Sequence, residues 1–203
     1  MKDFMKKCSL LLGMVLISGC ASYKAAPLHT IATKESWIPW KTNDVLIAAR
    51  TFDEEDCKQY LDRDVISKGY LPIQITIENN SDHSYLFSLD RVSISCVPPE
   101  DVAQQVHTST VGRAGGYGAA SLFFWPFVIP AVVDGALSVQ ANQALDLDFA
   151  SKGAKDQVIK AHAHVNMVLF VPEFDFEDLF NITLIDLQTH QPRSFRVRTS
   201  SYQ

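Results

Sequence analysis

The sequence predicts a mainly β fold, an immunoglobulin-like β-sandwich carrying one helical, apolar insertion at about residues 112–153. Three observations predict it. Leu71, Ile73, Ile75 and Ile77 alternate with Pro72, Gln74, Thr76 and Glu78, the period-two pattern of a strand with one buried face. Further short apolar segments are separated by turn-forming residues, as in sandwiches and barrels. Between 112 and 153 this pattern gives way to a glycine-rich stretch, an apolar run and a helical stripe.

The amino-terminal element is a targeting signal. Lys2, Lys6 and Lys7 precede an almost uninterrupted apolar run from Ser9 to Ser18, and the run closes on Ile17-Ser18-Gly19-Cys20. A basic start, a short apolar centre and small residues at the cleavage site are the layout of a cleavable secretory signal. The run is shorter than the roughly 20 apolar residues that cross a bilayer. Its last four residues resemble the lipobox of bacterial lipoproteins, in which an aliphatic residue and two small residues precede a cysteine. The resemblance covers only the signal, residues 1–19, and Cys20. It implies that Ile17, Ser18 and Gly19 are read by the lipid-attaching and cleaving enzymes, and that the Cys20 thiol receives a diacylglyceryl group. Cleavage then falls just before Cys20, and the freed amine is acylated. Ala21 and Ser22 lack the aspartate that retains many such proteins in the inner membrane. In a Gram-negative host the implied address is therefore the outer membrane, periplasmic face.

Removing residues 1–19 takes three Lys and one Asp from totals of 18 basic and 23 acidic residues, leaving 15 and 22, net −7. An acidic chain of this kind excludes nucleic acid as a partner, because phosphate backbones require a basic surface. About 180 mature residues suit one domain with a substantial core. Of the four cysteines, Cys8 leaves with the signal and Cys20 is taken by lipid. Cys57 and Cys96 remain, a disulfide candidate in an oxidising compartment. Closing that loop would contribute about 4 kcal/mol on the chain-entropy model; two buried free thiols are the alternative.

Residues 20–42 hold Pro27 and Pro39 and no apolar period, so they read as a lipidated tether, with Trp37, Ile38 and Trp40 docking on the domain or, alternatively, sitting at the lipid headgroups. The β-rich domain is expected over 43–203. Val45, Leu46, Ile47 and Ala49 mark a first strand, and Asp53-Glu54-Glu55-Asp56 opens a short helix, since carboxylates favour a helix's first turn. After the strand at 70–78, Asn79-Asn80-Ser81-Asp82 supplies turn chemistry. A second strand is expected over 85–97, forming with the first a hairpin or a corner between sheets. Gly112 to Gly118 leads into the apolar run 121–133, which contains Pro126 and Pro130. At about 12 strongly apolar residues with two prolines, this run suits a core or re-entrant segment better than a span. Leu122, Phe123, Phe124, Trp125, Phe127 and Ile129 are the membrane or partner contacts it offers. Leu137, Ala141, Leu145 and Phe149 then form a helical stripe that Gly153 stops. Strands return at 165–171, 181–187 and 194–199, where Phe195 and Val197 face one way and Arg196 and Arg198 the other.

No catalytic constellation stands out. His162 and His164 share a strand face, a pair able to bind metal through imidazole but without a third ligand at matching spacing. Gly116-Tyr117-Gly118 lacks the preceding strand and the lysine of a phosphate-binding loop. No cofactor and no metal are implied. The expected function is that of a non-catalytic envelope lipoprotein, a protein- or membrane-interaction module whose partners are the membrane, through Cys20, and other envelope proteins. A subunit of an envelope-spanning or secretion assembly is a special case of this reading. A periplasmic hydrolase would need a clustered acid, base or nucleophile, for which Asp134, Asp146 and Asp148 are the densest carboxylates.

Overall fold

A computed structural model describes residues 22–31, 44–108 and 128–200. The chain divides into two compact units, one of residues 25–106 and 146–203, the other of 1–24 and 107–145. All seven strands belong to the first, here called the β unit: β1 (Val45–Thr51), β2 (Tyr70–Asn79), β3 (Tyr85–Phe87), β4 (Gln157–Ile159), β5 (Ala163–Pro172), β6 (Leu179–Asp186) and β7 (Pro192–Ser200). They form one mixed sheet in the order β4-β3-β6-β7-β1-β2-β5. Every pairing is antiparallel except the short one between β1 and β7. Isolated bridges from Val92 to Ile182 of β6 and from Val97 to Phe170 of β5 carry the 92–97 segment from the interior strand β6 to the edge strand β5, so the sheet nearly closes on itself.

The mainly β expectation holds, and the core explains it. One apolar cluster takes side chains from every strand, among them Ile47, Ile75, Phe87, Ile159, Leu169, Ile182 and Val197. Ile73, Ile75 and Ile77 of β2 are fully buried there, as their spacing predicts. Pro72, expected at a strand start or an edge, lies near the start of β2, a strand flanked by β1 and β5. The β1 ladder ends at Thr51 opposite Ile73, so no partner on that side needs a Pro72 N–H; its carbonyl accepts from Phe52.

One expectation is corrected, and of the hairpin and the corner the chain takes the corner. The strand expected over 85–97 stops at Phe87, where Leu89–Arg91 forms a 3-10 turn. Asp156 holds that turn by accepting from the Ser88 hydroxyl and the Leu89 N–H. Nor do β2 and β3 form a hairpin: β2 pairs with β1 and β5, whereas β3 pairs with β4 and β6, so residues 80–84 turn a corner.

Among the described residues three α-helical segments accompany the strands. The first, α1 (Glu54–Asp56), is capped by Asp53 and runs into a π turn, Cys57–Leu61. The second, α2 (Pro99–Gln105), begins at a proline, which suits a first helical turn because no N–H is needed there. The third, α3 (Val128–Lys152), ends at Gly153 as expected. Its last residues, 146–152, belong to the β unit, where Phe149 stacks on Phe170 of β5 at 5.4 Å. In the other unit, the Asn142 amide binds the Thr108 main chain on both sides, accepting at 2.9 Å and donating at 3.1 Å.

Candidate functional site

The most elaborate polar arrangement in the β unit covers the face of β1, β2 and β5 that points away from the core. Period two gives β2 a polar face, Gln74 and Thr76, and that face is as buried as the isoleucine one. Its cover is residues 25–31, a strap of extended chain. Going along the strap, Ala26 N–H donates to the Gln59 carbonyl at 2.8 Å. The Gln74 side chain donates to the His29 carbonyl, and Asn166 of β5 donates to Thr30 at 3.1 Å. Ile31 N–H donates to the Thr76 hydroxyl at 3.1 Å, and that hydroxyl donates onward to Asn166. His29 also lies 5.3 Å from the Tyr60 ring. The strap thus runs alongside β2 in the same direction. Buried polar groups of this kind are costly when left unpaired, about 1–3 kcal/mol each, which is what keeps the strap in place.

Two buried cations complete the layer. Arg50 of β1 is only 4 % exposed; its Nε donates to Gln74, and Nη1 donates to both oxygens of Asp56 at 2.9 and 3.0 Å. The guanidinium also stands over the Phe52 and Tyr60 rings, at 5.0 and 5.6 Å. Lys152, at the end of α3, donates from Nζ to the Ala26 and Tyr60 carbonyls, both at 2.7 Å, and to Asp148 at 2.6 Å. One ammonium therefore ties together the strap, the π turn and the helix end.

The opposite end of the β unit gathers histidines. His83 and Asp186 share a 2.6 Å hydrogen bond through Nδ1, and Asp186 also accepts from the Gln188 and Thr189 N–H groups. Burial would raise the Asp186 carboxyl; the His83, Thr189 and Gln188 hydrogen bonds and the His83 charge outweigh it and hold the group at about 2. Ser81 does not extend this pair into a nucleophile–base relay, because its hydroxyl donates to Asn79 and accepts from the His83 main chain. His162 bonds Asp82 at 2.9 Å on the surface. His164 is exposed and lies opposite Glu78, so it does not join His162 in a shared site. Among the described residues no three His, Cys, Asp or Glu side chains are placed to hold a metal.

The remaining sequence candidates are placed as follows. Cys20, Leu122, Phe123, Phe124, Trp125 and Phe127 lie outside the described residues, as do Trp37, Ile38 and Trp40; Ile129 falls in the first turn of α3, with its side chain outside them. No described helix is long and apolar enough to cross a membrane. Cys57 and Cys96 stand as free thiols, so the bridge that counting cysteines offered is not formed. Cys57 is buried at the start of the π turn, while Cys96 donates to its own neighbour's carbonyl, Ile94. Burial, reinforced by the charges of Asp56, Asp64 and Asp53, pushes the Cys57 thiol up to about 12, and burial pushes Cys96 to about 11. Both are protonated and inert near neutrality, since the thiolate is the reactive form. Asp148, one of the carboxylates considered for catalysis, is engaged by Lys152.

Sequence reasoning passed over the strap and its polar bed. The signal was there in muted form: the outward positions of β2 next to the strap are uncharged Gln74 and Thr76, where a solvated face usually carries charge. Against known proteins, the chain matches no family model, and no curated protein is similar to it.

Proposed function

We propose that this chain is a lipid-anchored envelope lipoprotein, a non-catalytic interaction module held on the periplasmic face of the outer membrane by fatty acids on Cys20. The observation that carries this reading is Ile17-Ser18-Gly19-Cys20 at the end of a basic, then apolar, signal. Two or three acyl chains hold a protein far more firmly than one, at about 0.8 kcal/mol per buried CH2.

An immunoglobulin-like sandwich is the reading of the β unit that we favour. It is supported by two antiparallel ladders, β5-β2-β1 and β4-β3-β6-β7, joined by the two-residue parallel contact of β1 with β7 and sharing one core, and by β2 pairing with β5 and not with the next strand in the chain. On this proposal residues 121–133, with Leu122, Phe123, Phe124, Trp125, Phe127 and Ile129, supply an apolar contact to a partner or to the membrane.

The test is metabolic fatty-acid labelling. Cys20→Ala is expected to abolish the label and leave the precursor uncleaved, and label persisting in that variant refutes the anchor. In parallel, deletion of 121–133 is expected to remove crosslinked envelope partners; an unchanged crosslinking pattern refutes the contact role.

A further inference from the structure

The strap fixes how far the lipid stands from the fold. Ala26 is bonded on both sides, to Gln59 and to Lys152, so the β unit begins in effect at Ala25. Five residue steps separate Cys20 from Ala25, and a fully extended chain covers about 3.5 Å per residue, or roughly 17 Å. The 10-residue strand β2 alone is about 33 Å long. The tether is therefore shorter than the body it holds.

The strap also fixes which end is near. His29 lies beside Gln74 and Ile31 beside Thr76, so counting backward places Ala26 toward Tyr70, the first residue of β2. Ala26 bonds the π turn, which follows the end of β1 at that same end. Pro172, the last residue of β5, pairs with Tyr70, and the Glu173 N–H donates to the Gly69 carbonyl. The loop this creates carries Phe174, 87 % exposed, the most exposed large apolar side chain described. Beside it, Lys68, Tyr70, Val97 and Pro172 line a cleft of about 570 Å³.

We infer that the Tyr70 end of the β unit lies on the phospholipid surface that holds the anchor, with Phe174 seated among the headgroups. The inference rests on the proposed lipidation of Cys20. Phe is among the side chains that membrane-surface elements bury at the headgroup boundary, and Tyr70 in the adjoining cleft suits the headgroup level. Exposed Asp53, Glu54, Glu55, Asp64, Glu173, Glu177 and Asp178 occupy the same end and outnumber the exposed Lys58 and Lys68 there, a net negative charge that favours a zwitterionic over an anionic surface. The end bearing His83 and Asp186 then points away from the membrane.

The full-length lipidated protein, reconstituted in phosphatidylcholine vesicles with and without brominated acyl chains, tests this. Phe174→Trp adds an indole at an exposed position where the fold does not depend on the side chain. Val158→Trp, at a half-exposed site (50 %) on β4, places one toward the other end. Bromine is expected to quench the fluorescence gained over the unsubstituted protein at least twofold for Phe174→Trp and not measurably for Val158→Trp. Acylated, vesicle-bound protein quenched equally at both positions overturns the orientation and leaves the anchor standing. Absence of acyl label on the unsubstituted protein overturns both.

Discussion

Replacing Lys152 by Met removes one ammonium and three hydrogen bonds while keeping an unbranched apolar stem of similar length. The Ala26 and Tyr60 carbonyls lose a charged donor, and Asp148 loses its ion pair. Removing one partner of a buried pair costs about 3–5 kcal/mol. The Asp148 side chain is 23 % exposed and regains some water, so the loss belongs at the low end, about 3 kcal/mol. With a urea slope of about 2 kcal/mol/M, the unfolding midpoint falls by roughly 1.5 M. Because Lys152 is also a clasp on the strap, trypsin is expected to cut faster after Lys24 under native conditions. Lys155→Met is the control: its Nζ reaches only the Ala150 carbonyl at 3.2 Å and is exposed, so the cost stays within about 0.5 kcal/mol. Circular dichroism followed through urea, with timed proteolysis beside it, reads both effects. A midpoint for Lys152→Met that matches the control, with unchanged cleavage, would refute the view that this lysine fastens the strap.

Two further outcomes follow from close contacts elsewhere. A Cβ at Gly153 would lie 2.3 Å from the Pro99 Cβ and 2.7 Å from the Phe149 carbonyl, so Gly153→Ala must drive α2 from the end of α3. Overpacking of this kind costs about 1–3 kcal/mol, or roughly 2–12 °C in melting temperature for a chain of this size; an unchanged melting curve would show that the two helices yield freely. Asp186 has a folded pKa of about 2, below its ordinary 3.8. Its contribution is therefore complete above that ordinary value and fades as pH falls toward 2. The stability gap between the native protein and Asp186→Asn should narrow as pH falls from about 4 toward 2; a gap that widens over that window contradicts the assignment.

The isoleucines of β2, the stop at Gly153 and the inward pair Phe195 and Val197 were legible because each rests on local periodicity or on a local terminator. What stayed hidden depends on distant chain. Gln74 and Thr76 look solvated until residues 25–31 lie across them, and nothing in the strap's own composition announces that docking. Val92 and Val97 look like continuations of a strand, but each has its bridge with a different strand, β6 and β5. Residues 157–159 are too few to carry a period, so β4 could be seen only through its partner β3. Cysteine counting left a bridge and two free thiols both open for a similar reason: it registers how many thiols remain and is blind to where the π turn and the 92–97 segment carry them. For the site, the strap is held by single polar side chains, Gln74, Thr76, Lys152 and Asn166, up to 136 positions from the residues they bind, a spacing that no motif encodes.

The parallel contact between β1 and β7 has a meaning in time as well as in space. Ser200 donates to the Ala49 carbonyl across 151 positions, so the first strand of the sheet meets one of its neighbours only through a very long loop. Such long-range pairings form late and slowly, because the loop must close before any contact repays it. Until β7 is available, β1 has only β2 as its strand neighbour, so this seam is the part of the sheet whose formation waits longest.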